Sequence, residues 1–325
     1  MRRREFMTLA GGAATWPFEA LAQPALPSIG FLSSRSAADS APLVAAFRRG
    51  LAETGHVENQ GIAVEYRWAD GHYDRLPALA ADLVRRRVAV LVTAGGEPSA
   101  LAAKAATSTI PIVFTIGGDP VKIGLVESLN RPGGNATGVS LLTTAPESKR
   151  LELLHELVPS AKVVGVLINP NYQEAASQER ELREAAGRLR QGIHIAHARN
   201  DAELGSAFAT LVRERADALL VSADPFFDTR PDRIIAFAAE HRMPAVYQFR
   251  QYALRGGLMS YGVSIADGYQ QVGSYAGQIL KGARPADLPI FRSIKFEFII
   301  NVKTARALGL DVPAMLLARA DEVIE

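Results

Sequence analysis

The stretch Ile112–Ser140, IVFTIGGDPVKIGLVESLNRPGGNATGVS, decides the fold class. It opens on an apolar run from Ile112 to Thr115 and turns through Gly117-Gly118-Asp119-Pro120. A helix-like pattern follows from Lys122 to Leu129, then Arg131-Pro132-Gly133-Gly134-Asn135 and the short run Thr137 to Ser140. An apolar run bounded by turn residues and followed by an amphipathic segment reads as a buried strand leading into a helix. Paired glycines directly after such a strand let a ligand come close to the backbone, because no Cβ stands in the way.

The same alternation extends to both sides. Upstream, Ser28 to Ser33, Ile62 to Trp68 and Val88 to Thr93 read as strands. The segments carrying Val44, Phe47 and Leu51, then Leu76, Leu79, Ala80, Leu83 and Val84, read as helices, and another starts near Pro98. Downstream the order repeats. Lys162 to Ile168 mirrors Ser28 to Leu32, each with a central glycine (Gly165, Gly30). Ala218 to Ser222 mirrors Val90 to Thr93, and Met243-Pro244-Ala245-Val246 mirrors Ile110-Pro111-Ile112-Val113. Apolar strands alternating with amphipathic helices form a parallel sheet covered on both faces. Two such series predict an α/β chain of two doubly wound parallel-sheet lobes.

Elements remain after both series are complete: Gly256 to Val263, a long helix with Val272, Tyr275, Ala276, Ile279 and Leu280, a strand from Lys295 to Ile300, and a last helix from Lys303. They must return to lobes already built, so the chain crosses repeatedly, at Thr137 to Ser140, at Gly256 to Gly262 and near Arg292. Several crossings make a multi-strand hinge. The expected division is 27–138 plus 260–292 for the first lobe and 139–259 plus 293–325 for the second.

In open parallel sheets, ligands bind beyond the carboxyl ends of the strands. That rule selects Ser33, Ser34, Thr93, Gly95, Gly96, Gly117 and Asp119 in the first lobe, and Asn169, Asn171, Asp224, Phe226, Tyr247 and Arg250 in the second, with Tyr261 adding aromatic surface. Helix N-termini after Gly95-Gly96 and after Asp119-Pro120 would offer N–H groups to a carboxylate. Asp224 suits an ammonium and Arg250 a carboxylate, and the aromatic side chains suit an apolar moiety.

Residues 1–22 read as an export signal: Arg3-Arg4-Glu5-Phe6-Met7 resembles a twin-arginine pattern, a mildly apolar run follows, and Ala20-Leu21-Ala22 offers a cleavage site. That address implies a periplasmic protein. The chain has no cysteine, which removes disulfides, thiolate metal sites and a lipid-anchoring cysteine. A net charge of +2 without any basic block argues against nucleic acid as partner. No later run reaches the ~20 apolar residues of a membrane span. A monomer without cofactor or metal is expected: His194 and His197 stand three apart on a strand and face opposite sides.

The central motif carries a resemblance. Asp119-Pro120-Val121, Gly124-Leu125-Val126, Ser128-Leu129 and Arg131 to Ser140, followed by Lys149, Glu152-Leu153-Leu154 and Pro159, are similar to a family of ABC-transporter substrate-binding proteins. So are Asn301-Val302-Lys303-Thr304-Ala305, Ala307 to Leu310 and Pro313 near the end of the chain. The resemblance implies the type I periplasmic-binding-protein fold, a receptor closing two lobes on a small organic ligand, and a membrane permease as partner. The family includes tryptophan- and tyrosine-binding members. Its aromatic-amino-acid binders carry an Asp-Asn or Asp-Ser step where this chain has Asp224-Pro225-Phe226.

The alternative is a periplasmic α/β enzyme acting on a small molecule in the same cleft. Its signatures are missing from the sequence: no GxGxxG after the first strand, no GxxxxGK loop, and Gly257 to Gly262 has the wrong spacing for a nucleophile elbow. A repressor of the same fold would need a DNA-binding headpiece where this chain has its signal-like leader.

Overall fold

A computed structural model of the chain describes residues 26–141, 146–292 and 296–325. The leader 1–22 and Lys295 lie outside them. Six strands come first: β1 (Ser28–Ser33), β2 (Val57–Glu58), β3 (Gly61–Trp68), β4 (Val90–Ala94), β5 (Ile112–Ile116) and β6 (Ala136–Ser140). Five follow: β7 (Val163–Ile168), β8 (Gly192–His197), β9 (Ala218–Val221), β10 (Ala245–Tyr247) and β11 (Met259–Val263). The last three are β12 (Phe291–Arg292), β13 (Phe296–Asn301) and β14 (Glu322–Ile324).

They form two seven-stranded sheets, ordered β12-β6-β5-β4-β1-β3-β2 and β14-β13-β11-β10-β9-β7-β8. Every named strand pairing is parallel except β11 with β13. Inside each sheet the same doubly wound order recurs, β3-β1-β4-β5-β6 against β8-β7-β9-β10-β11, so each has its switch point beside its first strand. The matched glycines explain part of that likeness. A Cβ on Gly30 would stand 3.1 Å from Leu83 Cδ2, and one on Gly165 would stand 2.8 Å from Leu211 Cδ2. In each lobe a helix leucine presses onto the first strand, and only glycine leaves it room.

The chain passes between the sheets three times. β6 ends in the first sheet, and the helix Glu147–Leu157 packs in the second lobe against Ala175–Leu189. After β11 the helix Ile265–Leu280 returns to lie along Ala37–Glu53, and between β12 and β13 the chain crosses again. Residues 139–140, assigned above to the second lobe, complete β6 in the first sheet. Residues 260–263, assigned to the first, belong to β11, held in the second sheet by ladders to both β10 and β13.

One element is corrected. Lys122 to Leu129 is a series of turns. Asp119 Oδ1 accepts the Val121 and Lys122 N–H groups at 2.9 and 3.4 Å, the N–H groups of Leu125 and Val126 both turn back to the Pro120 carbonyl, and Gly124 has φ +71°. That left-handed residue stops a helix before it has completed two turns. The apolar spacing is satisfied all the same, since Leu125 and Val126 are buried in the first lobe's core.

Buried apolar side chains form one cluster on one face of each sheet, and a third cluster contains residues of both lobes, among them Phe31, Leu141, Leu167, Phe249 and Val263. The lobes are therefore in contact, with the strand ends facing across a narrow cleft.

Candidate functional site

The cleft lies where the two switch points face each other. It is walled by loops of both lobes. The first lobe contributes Arg35 after β1, Gly95 and Gly96 after β4, and Thr115 to Gly117 at the end of β5. From the second come Tyr172 after β7, Ala223 to Pro225 and Asp228 after β9, and Phe249 after β10. The hinge side is closed by Leu141, Ile265 and Tyr269.

The first lobe's wall is mostly backbone. Gly95 (φ +78°) and Gly96 (φ +94°) lead into the helix Glu97–Ala106, whose N-cap is Gly96 with no side-chain cap. A Cβ on Gly96 would stand 3.0 Å from Pro225 Cγ of the opposite lobe, so the glycine permits the lobes to meet. Behind this wall the buried Glu97 carboxylate accepts the Gly118 N–H at 2.5 Å. Burial raises its pKa, and hydrogen bonds, including one from Tyr172, oppose the rise.

The second lobe's wall is charged. Asp224 is the N-cap of the one-turn helix Pro225–Asp228, its Oδ1 accepting the Phe226 N–H at 2.9 Å and Asn169 Nδ2 at 3.1 Å. Its Oδ2 accepts the Tyr73 hydroxyl of the first lobe at 3.0 Å. One turn on, Asp228 forms an ion pair across the cleft: Arg35 Nη1 to Oδ2 is 3.0 Å, and Arg35 Nη2 also reaches the Asp228 carbonyl at 3.3 Å. Gln248 donates to the other carboxylate oxygen of Asp228. Arg35 is 2% exposed and Asp228 4%, so neither charge is solvated. Burial pushes Asp224 up to about 7, with Asp228 adding to the rise and Asn169 and Tyr73 opposing it. Burial likewise raises Asp228 to about 6, against the pull of Arg35.

Arg35 Nε and Thr115 Oγ1, both on the cleft wall, are buried without a hydrogen-bond partner among the described residues. Buried polar atoms are almost always paired, so these two on the wall of one small cleft suit it to polar contact. The arrangement presents one guanidinium from the first lobe, two carboxyl groups from the second, and apolar walls at Ile116, Leu141, Phe249 and Ile265. That is complementary to a small molecule with an anionic group, a cationic group and an apolar part.

Of the residues selected from the sequence, Gly95, Gly96, Gly117 and Asp224 line this cleft. Four others support it from behind. Ser34 Oγ donates to the Gly95 carbonyl at 2.6 Å, Ser33 Oγ accepts the Arg35 N–H, Asn169 holds Asp224, and Thr93 is buried at the end of β4. The rest stand elsewhere. Asp119 caps the turn after Gly118. Asn171 is exposed, its backbone N–H donating to Asn169. Phe226 lies in the core beneath the Arg230 guanidinium, and Tyr247 stacks on Tyr252 at 4.5 Å. Tyr261 stacks on Phe296 at 5.6 Å, and Arg250 pairs with Glu322 at 2.6 Å on the outside.

The sequence reading missed Arg35, Asp228, Tyr73, Tyr172 and Tyr269. For Arg35 a signal exists: it is an arginine just past the end of β1, at the switch point itself. Asp228 stands one helical turn after Asp224 and on the same face, which also is legible once the short helix is recognised.

Residues 36–324 match the family model described as ABC transporter substrate binding protein. The tyrosine-binding protein of Clostridioides difficile (strain R20291) is 28% identical over 264 residues, which cover 81% of this chain and 75% of that protein. Among solved structures, a conserved domain protein from Vibrio cholerae has a TM-score of 0.84 at 28% identity, covering 92% of this chain and 99% of that one. A domain from Streptococcus pneumoniae in complex with L-Trp has a TM-score of 0.80 at 26% identity, covering 91% and 100%. The paired sheets are the type I periplasmic-binding-protein fold. With a match running over nearly its whole length, this chain belongs to the family of ABC transporter substrate-binding proteins.

Proposed function

We propose that the protein is the solute receptor of an ABC importer, exported to the periplasm by the twin-arginine-like leader at 1–22, and that its lobes close on a zwitterionic ligand of the amino-acid type. The observation that carries this reading is the charge arrangement of the cleft: Arg35 from one lobe opposite Asp224 and Asp228 from the other, over the Gly95-Gly96 backbone. A ligand carboxylate would take Arg35 and the N–H groups of the first-lobe loops, and its ammonium would take the second-lobe carboxylates. Such a ligand touches both lobes at once and so favours the closed state over the open one. The L-Trp and tyrosine of the relatives named above have this head-group chemistry and an aromatic part suited to Phe249, Leu141 and Ile265.

The lobe pairing proposed is 27–138 with 260–292 against 139–259 with 293–325, adjusted at β6 and β11 as the sheets require. No helix among the described residues is long and apolar enough to cross a membrane. The monomer is taken as the working unit, delivering its ligand to a membrane permease.

The test is isothermal titration and thermal shift against a panel of L-amino acids, their decarboxylated amines and their deaminated acids. Binding of intact amino acids with at least 100-fold preference over both truncated series is expected, because each truncation leaves one buried charge unmatched. Equal binding of the amines or of the acids would overturn the zwitterion assignment, and turnover of any ligand would replace the receptor with an enzyme.

A further inference from the structure

The ion pair Arg35–Asp228 has two sides. One faces the cleft; the other faces a wider groove. The two spaces share Arg35, Asp228, Phe249 and Ile265 as walls. The groove runs between the first turns of the helix Ala37–Glu53 in the first lobe and the helix Arg250–Leu254 in the second, with the crossing Val263–Ala266 along its side.

The cations on its rim are already matched. Arg250 is paired with Glu297 and Glu322, Arg255 with Asp232, and Asp39 accepts the Ser36 hydroxyl. What remains to recognise an occupant is apolar: Pro42, Leu43, Phe249, Leu254, Val263 and Ile265. Leu254 is 55% exposed, a large apolar side chain left in water at the groove's edge.

Resting on the receptor reading above, we infer that the ligand site continues past Arg35 and Asp228 into this groove, which holds the apolar end of an amino acid whose side chain extends several bonds beyond the head group. The ion pair is the partition, and the ligand opens it. The ligand carboxylate takes over the guanidinium, including the unpartnered Nε, and the ammonium takes over the carboxylate, so neither protein charge is left buried alone. The side chain then leaves between them toward Leu254. The groove's rim leaves no cation for a second anionic group, since Arg250 and Arg255 are each paired.

The probes are L-phenylalanine, L-homophenylalanine and L-2-amino-5-phenylpentanoic acid, each one methylene longer than the last, titrated against the full chain. Affinity should rise about fourfold per methylene as the ring moves into apolar surroundings. In Leu254→Asp, with that side chain mostly in solvent, the ratio between the longest and shortest probes should collapse toward one. Binding of L-phenylalanine with falling affinity along the series would overturn this inference and leave the receptor reading intact. No binding of any probe, together with none across the amino-acid panel, would remove both. A rising series that Leu254→Asp does not flatten would place the tail elsewhere and overturn the groove assignment.

Discussion

The two walls of the cleft have opposite characters. The first lobe presents glycine backbone and a single cation; the second presents carboxyl side chains held by a hydrogen-bonded network. Backbone N–H groups at Gly95 and Gly96 are fixed by the fold and change little as the lobes move. Asp224 and Asp228, in contrast, find partners in the first lobe only when the cleft is shut: Tyr73 for one, Arg35 for the other. The comparison teaches that closure itself is written in side-chain charge on one wall, and shape in missing side chains on the other.

The sharpest way to break this view is Arg35→Ala. It leaves Asp228 buried opposite no cation, a defect of about 3–5 kcal/mol when one member of a buried pair is removed. Relief is available without unfolding, because separating the lobes returns Asp228 to water. The expected outcome is an increase in radius of gyration by small-angle X-ray scattering, with a melting temperature close to that of the parent. The double variant Arg35→Ala/Asp228→Ala should recover part of the closed population. An unchanged scattering profile for Arg35→Ala would mean that the pair does not hold the lobes together.

Gly96→Val tests the other wall. Its side chain would start 3.0 Å from Pro225, in a backbone conformation (φ +94°) that L side chains rarely adopt. A residue held there costs about 1–3 kcal/mol, and the clash is met only on closure. Affinity for a bound amino acid should fall roughly 10- to 100-fold by titration calorimetry, while the open form keeps its fold. Retention of affinity would show that the cleft never closes over Gly96.

These two residues also show what sequence can reveal. Gly96 was legible because a left-handed turn after a buried strand has few solutions, and glycine is the one that carries its reason with it. The doubly wound order was legible for a similar reason: Gly30 and Gly165 recur at equivalent places because a leucine from a packed helix must fit over each. The lobe crossings followed from leftover strands. Arg35 is not among the residues selected from the sequence; it stands directly before Ser36, the N-cap of the helix Ala37–Glu53. Its place just past β1 is legible, but its partner Asp228 stands 193 positions away, and a pairing at that distance leaves no local trace. Arg250 failed in the opposite sense. It follows a strand as the rule requires, but β10 is only three residues long and Phe249 intervenes, turning Arg250 outward to Glu297 and Glu322. The helix expected at Lys122 had the right apolar spacing, yet Gly124 and the Asp119 cap made turns of it.

The charged wall makes a pH prediction. Burial raises Asp224 from 3.8 to about 7. Between those values the folded protein holds a proton that the unfolded chain has released, so stability falls as pH rises through the window and levels off above it. From pH 5 to pH 7 the loss from this group is on the order of 2 kcal/mol. In Asp224→Asn that part of the slope should disappear, leaving the smaller fall due to Asp228, raised to about 6, and urea titrations at pH 5, 6 and 7 would read the difference as a widening advantage of the variant. Ligand binding should move the other way: an ammonium requires the ionised carboxylate, so affinity in the parent should rise toward pH 8. A parent whose stability is flat from pH 5 to 7 would place Asp224 in contact with water.

The smallest effect separates side chains from positions. Asn171 satisfies the strand-end rule as well as Asn169 does, and both follow β7. Asn169 is buried and donates to Asp224, whereas Asn171 is exposed and contributes its backbone N–H to the Asn169 side chain. Alanine keeps a backbone N–H, so Asn171→Ala should change neither affinity nor melting temperature beyond about 0.5 kcal/mol, the usual range for surface substitutions. Asn169→Ala removes a donor from a buried carboxyl and should raise its proton affinity, shifting the pH profile of binding upward while Asn171→Ala leaves that profile where it was. If the two variants behaved alike, the second wall would owe its charge state to the loop as a whole and not to the particular hydrogen bonds that set Asp224 against the glycine wall.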